Sequence, residues 1–203
     1  MNLVYSLIDQ CRPIPSFVLK TAPKVEPIGK DEVKAHSRID ISDDDLLIQT
    51  KILAVRQMVE RNFDLALITQ TWTMYLDWLP TYCIEIWKRP VQKVNSVKYL
   101  DADGVSQTLA SNQYDVDVNA RPPRITPAIN ASWPYVQPRP AAVAVEFDAG
   151  YGDKPSDVPP NVVQYLLFKV ADLYEYRESY SDLKIQPLGF DEGLIRSEAL
   201  FSF

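Results

Sequence analysis

Glycine, cysteine and histidine are scarce in this 203-residue chain, which holds six, two and one of them. Each shortage closes off a chemistry. A phosphate-cradling loop needs closely spaced glycines, and the densest cluster, Gly150-Tyr151-Gly152, lacks the following Lys-Ser/Thr. Two cysteines and one histidine cannot furnish an ordinary structural zinc site without carboxylate help. Cys11 and Cys83 are therefore expected to be reduced thiols of an intracellularly made protein. A serine or cysteine triad would depend on His36 alone, and no nucleophile-elbow sequence occurs. An excess of base is also missing: the net charge is −6 and the pI about 4.8. That argues against a broad phosphate-gripping face, although an acidic surface can stand close to DNA without sticking to it. No apolar run approaches the ~20 residues of a membrane span. The start, MNLVYSLIDQC, has no basic region and is broken by Asp9, so a soluble chain without a signal peptide is expected.

What the chain does have is a core. Hydrophobic content is 46% and aromatic content 11%, unlike a disordered sequence. Sixteen prolines imply many extended, loop-edged connections. Residues 1–27, with Pro13, Pro15, Pro23 and Pro27, read as an extended arm whose Phe17, Val18 and Leu19 need a surface to lie on. GKDEVKAHSRID predicts a short helix with Asp31 and Glu32 in its first turn, where the helix dipole favours them. A longer helix follows to about Asn62, with Ser42 as N-cap, acids at 43–45, and an apolar stripe of Leu46, Leu47, Leu53, Ala54 and Met58.

From Thr71 the period changes to two: Trp72, Met74, Leu76 and Trp78 fall on one side of a strand and are expected to be core. CIEIW, VNSVKYL, VSQTL, YDVDV and AVAVEFDAGYG continue in strands, the pair around DADG reading as a hairpin turning at Gly104. The proline-rich stretch 120–140 is not expected to supply a central strand. These segments predict one small, mostly antiparallel sheet of about five or six strands. A third main helix starts at Pro159–Pro160. Val163, Leu166, Leu167, Val170, Leu173 and Tyr174 make an apolar arc of about half its circumference, with Tyr165 and Phe168 on the polar side. So broad an arc is wrapped by the domain core or by a second subunit. The tail from Asp182 is apolar and has no long periodic helix.

The fold class is therefore α+β. A helical bundle of about three main helices (28–70 and 152–182) carries an inserted β domain (71–151), an N-terminal arm (1–27) and a C-terminal tail (183–203). DVDVN at 115–119 opens like a calcium loop, but position six is Ala120 and position twelve Thr126. Asp115, Asp117 and Glu146 are exposed carboxylates without an inferable pocket. No catalytic residue, metal or cofactor is expected, and the chain is not expected to be an enzyme.

Four segments, EPIGKDEVKAHSRIDISDDDLLI, ALITQTW, VNSVKYLDADG and FDAGYG, occur in that order. Together they resemble the head–tail connector (adaptor) proteins of long-tailed bacteriophages and prophages, in the variant with a β insertion between its helices. The likeness spans roughly residues 25–180. It departs at Ser37, where a leucine is usual, and in a longer arm before Val25. The resemblance implies a ring, usually of twelve copies, beneath the portal protein in the virion neck, made in the host bacterial cytoplasm. Such a ring extends the DNA channel without sequence-specific binding and meets a stopper or tail-completion protein. It further implies portal contacts from Leu183, Phe190, Leu194, Leu200, Phe201 and Phe203. Val163, Leu167, Val170 and Tyr174 are expected at the subunit interface. The alternatives are another neck component, a carbohydrate-binding or small hydrolytic β module, and a DNA-binding packaging factor, which the charge disfavours.

Overall fold

The computed structural model describes residues 13–176 and 190–198. The chain forms two compact units: a sheet unit of residues 1–22 and 70–149, and a helical unit of residues 23–69 and 150–203.

The helical unit begins with α1 (Lys30–Ser37), whose start is closed by the Glu32 carboxylate accepting the Gly29 amide at 2.7 Å. Helix α2 (Asp45–Asn62) starts three residues after the expected cap at Ser42. Ser42 instead supplies the carbonyl of the preceding turn, and the acids bond across helices. Asp45 pairs with Lys30 and Lys34 of α1, and Asp44 accepts the Tyr174 hydroxyl at 2.6 Å. Helix α3 (Pro160–Glu175) opens on its proline, as the sequence predicts. The short α4 (Phe190–Arg196) packs on α3 and drives Ile195 into the core.

The core-facing side of α2 differs from the expected one. Ile48, Ile52, Val55 and Val59 are buried, at helical spacing. Leu46, Leu53 and Met58, read from the sequence as part of an apolar stripe, are 75%, 40% and 37% exposed. At about 100° per residue the four buried residues fall within about 60° of the circumference, while Leu46 and Leu53 lie roughly opposite them and Met58 lies between. Arg56 and Glu60, bonded to each other at 2.7 Å, are buried along one flank of that side. A similar correction applies to α3, which buries Val162, Tyr165, Leu166 and Val170. Tyr165 turns inward because Phe63 meets its ring edge-on, 6.1 Å between centroids, while Leu173 is exposed.

In the sheet unit, five strands are ordered β1 (Ser16–Thr21), β2 (Gln70–Leu76), β8 (Val143–Ala149), β4 (Val91–Leu100) and β5 (Ser106–Thr108), all antiparallel. One face is apolar: Met74 pairs with Val145, Leu76 with Val143, and all four are buried. Residues 16–21 of the arm lie on this sheet as its edge strand, with Phe17 edge-on to Phe147. The hairpin between β4 and β5 turns where expected. Asp101 accepts the amides of Asp103 and Val105, and Gly104 takes a positive φ of 77°.

A second sheet of three strands corrects the expectation of a single one. Its order is β3 (Ile84–Glu85), β7 (Arg124–Pro127), β6 (Tyr114–Asp117), so part of the proline-rich stretch is a central strand after all. Proline is tolerated because Pro127 is the last residue of β7, where a missing N–H costs little, and Ile125 fills the interior. Of the aromatic face, Met74 and Leu76 are core, whereas Trp72 and Trp78 are only half-buried.

Candidate functional site

Among the described residues no constellation of reactive side chains stands out, so their surfaces and charge are what they offer. Among the described residues, no three His, Cys, Asp or Glu side chains gather as a metal site would require. No described helix is long and apolar enough to cross a membrane. A cavity of about 330 Å³ in the sheet unit is walled by Pro13, Ile14, Leu76, Pro80 and Trp87, with Cys83 and Glu85 as its reactive groups. One carboxylate and one thiol do not make an acid/base pair. The half-buried Trp72 ring is partly covered as well, since the Lys88 ammonium sits 5.0 Å over it.

The helical unit is built around a buried charge network. Arg56 donates from Nε to Glu26 and from Nη1 to Glu60, each at 2.7 Å. The other Glu60 oxygen accepts the Leu67 amide at 3.0 Å. That last bond holds Leu65–Ile68, all buried, at the end of α2. The Thr69 amide then bonds the Gly152 carbonyl at 2.9 Å, and the Tyr151 amide bonds Leu67 at 3.3 Å. The departing and returning segments of the helical unit are thus zipped together just before the chain enters the sheet unit and just after it leaves.

The expected site residues scatter. Leu183, Leu200, Phe201 and Phe203 lie outside the described residues, and Phe190 is the first residue of α4. Leu194 is half-buried against the helical core, and its carbonyl accepts Asn161 Nδ2 at 2.7 Å. Val163, Leu167 and Tyr174 are half-buried at the rim of that core, keeping some surface exposed. Val170 is fully buried inside the unit and has no surface to offer a neighbour.

Charge is divided unevenly. The helical unit holds twelve Lys and Arg against eighteen Asp and Glu, and the sheet unit holds nine of each. The whole net charge therefore belongs to the helical unit. Among the described residues, three carboxyls lie below their usual range. Asp45 is lowered by hydrogen bonds from Lys30 and Lys34, and Asp101 by bonds from Gln107 and the Val105 and Asp103 amides. For Asp148, burial pushes upward, but bonds from Thr71, Asn95 and Lys93 outweigh it.

Asp45 gives a pH prediction. Its folded-state pKa is depressed, so its contribution is fully present above the usual value of 3.8 and is lost as pH falls through the lower folded value. Asp45→Asn is expected to melt below wild type at pH 5 to 7, the gap closing as the pH drops below about 3.8. Thermal melts across that range check it; a gap independent of pH would rule out the ion pairs as its source.

No protein-family model matches the sequence, and no curated protein is significantly similar to it. Solved structures do match. A chain from the neck of an empty gene transfer agent (GTA) particle, computed with C6 symmetry, has a TM-score of 0.74 at 23% identity, covering 93% of this chain and 97% of that one. A chain from the virion of a native GTA particle has a TM-score of 0.77 at 21% identity, covering 92% and 96%. A third, from the neck of a native GTA particle computed with C12 symmetry, has 0.74 at 22% identity, covering 93% and 97%. At such identities the likeness establishes the fold: this chain shares its α+β architecture with those particle components along nearly its whole length.

Proposed function

We propose that this chain is a structural component of the neck of a tailed phage or phage-like particle, without enzymatic activity. In this reading it is the adaptor, a ring of twelve copies beneath the portal that extends the DNA channel and joins head to tail. The observation that carries the reading is the fold match over 92–93% of the chain to components of GTA necks and virions. The C12 symmetry of one of those particles supports the ring and its copy number.

The division of charge adds a physical reason. A passage for DNA must repel phosphate enough to let the duplex slide. The helical unit holds the entire surplus of acid, so it is the part suited to face DNA, and the neutral sheet unit the part suited to meet other neck proteins.

Electron microscopy of the purified chain mixed with its portal tests the proposal. A twelve-fold ring stacked coaxially on the narrow end of the portal is the expected result. Persistent absence of any complex overturns the adaptor assignment. A ring that joins only a tail-side component would assign the chain to the stopper or tail-completion station instead. The same protein is expected to show no salt-sensitive affinity for duplex DNA in a filter or anisotropy assay.

A further inference from the structure

We infer that the chain covers the apolar cavity of its own sheet unit: residues 3–11, as a short amphipathic helix, lay their apolar side over it and bring Cys11 to Cys83. The inference concerns the sheet unit alone and stands or falls apart from the neck reading.

Ahead of Pro13, the first proline, the arm has a period of its own. At 100° per residue Met1, Leu3, Val4, Leu7, Ile8 and Cys11 fall within about 160° of the circumference. Asn2, Tyr5, Ser6, Asp9, Gln10 and Arg12 occupy the rest. Strand alternation would split the same apolar residues between two faces, so the helix is the conformation that gathers them. The residue before a proline is steered out of the α region, which ends the helix near Cys11. Three turns are marginal alone in water, so such a helix forms where a surface receives its apolar side.

That surface begins where the segment is attached. Pro13 is buried and is itself part of the wall of the cavity of about 330 Å³, so residues 11 and 12 start at its rim. A space of this size takes side chains, not a helix about 10 Å across, so the helix lies over the mouth with Leu7 and Ile8 filling it. The facing walls, Leu76, Pro80, Ile84 and Trp87, are apolar as the stripe is. Charge agrees as well. Glu85 is the charged residue among those lining the cavity, and Arg12, beside the attachment, is the cation of residues 1–12.

The short tether selects the occupant. A segment attached at the cavity wall is present there at an effective concentration on the order of millimolar, well above that of the same segment on another chain in dilute solution.

The two thiols report on the docking. Cys83 lines the cavity, and Cys11 is two residues from Pro13, within about 7 Å of it along the chain. Seating the stripe therefore brings the pair within disulfide reach.

Diamide, which takes up two electrons and two protons as two thiols join, tests this on the full chain. The expected product is a monomer with an intramolecular Cys11–Cys83 bond, identified by peptide mass mapping. The bond is expected to close at least about ten times faster in native buffer than in concentrated urea, since docking adds to the tether's own effective concentration. Leu7→Asp/Ile8→Asp is expected to slow closure in native buffer about tenfold or more, because two buried aliphatic side chains are lost from the contact. Leu7→Met/Ile8→Met, which stays apolar, is expected to keep the wild-type rate. Should the aspartates disturb folding, the methionine pair and the comparison with urea still decide. Equal rates in native buffer and urea, or a native rate that the aspartates leave unchanged in a folded chain, overturn the inference, since a loose tether behaves that way. Bonds formed only between chains overturn it by seating the segment on a second copy, and so does the absence of any bond.

Discussion

Replacing Arg56 with methionine is expected to lower the unfolding free energy by about 3–5 kcal/mol, the range for removing one partner of a buried ion pair. Arg56 and Glu60 are each only 6% exposed. Methionine keeps much of the aliphatic volume of arginine, so packing is largely preserved and the loss is mainly electrostatic. The Glu60 carboxylate stays buried without the Arg56 cation. Because the same carboxylate accepts the Leu67 amide, the strain reaches the segment that ends α2. Urea unfolding checks this: the transition midpoint should fall with little change in slope. Adding Glu60→Gln to Arg56→Met should recover a substantial part of the loss, since an amide oxygen still accepts from Leu67 and no charge is left behind. A loss below about 1 kcal/mol in the single variant would mean the network is solvated and not structural.

Gly150→Ala is the second large effect. Gly150 has a φ of 145°, a conformation that L residues with a side chain rarely adopt. A Cβ there would lie 2.5 Å from the Thr69 nitrogen and 2.6 Å from the Ile68 carbonyl carbon. Both are backbone atoms, so no rotamer change relieves the overlap. The two segments would have to separate, at the expense of the bonds from Thr69 to Gly152 and from Tyr151 to Leu67. Strain and overlap together cost about 3 kcal/mol or more, a fall in melting temperature of at least about 6 °C for a chain of this size. Gly104→Ala is the control. Its φ of 77° is also positive, but the nearest atom is the end of the Arg139 side chain at 3.4 Å, so a cost of about 1 kcal/mol is expected. If the two alanine variants melt together, the close approach at Gly150 is not what requires glycine there.

Some of this molecule was legible residue by residue. The α+β class, the start of α3 at Pro160 and the turn between Asp101 and Gly104 all follow from local signals. In each, the cause lies within a few residues: a missing N–H, a short side chain that bonds its own backbone, an absent Cβ. The cap expected at Ser42 failed because the neighbouring acids found better partners in Lys30, Lys34 and Tyr174, two of them on α1 and one far along the chain. The exclusion of residues 120–140 from a sheet centre failed because proline is harmful only where the ladder needs its N–H, and β7 ends at Pro127.

Helices α2 and α3 show the same boundary most clearly. The sequence by itself determined that α2 carries a stripe of Leu46, Leu53 and Met58 and that α3 is too apolar for one buried face. It could not determine which apolar residues the chain would bury on its own. Val170, expected at an interface, is core, and Leu46, Leu53 and Met58 of the stripe are exposed. That decision belongs to the tertiary structure, because helical periodicity fixes which residues share a face but not which face turns inward. On α2, Arg56 reaches Glu26, thirty residues away in sequence, and Glu60 captures the Leu67 amide, long-range contacts that no local pattern specifies.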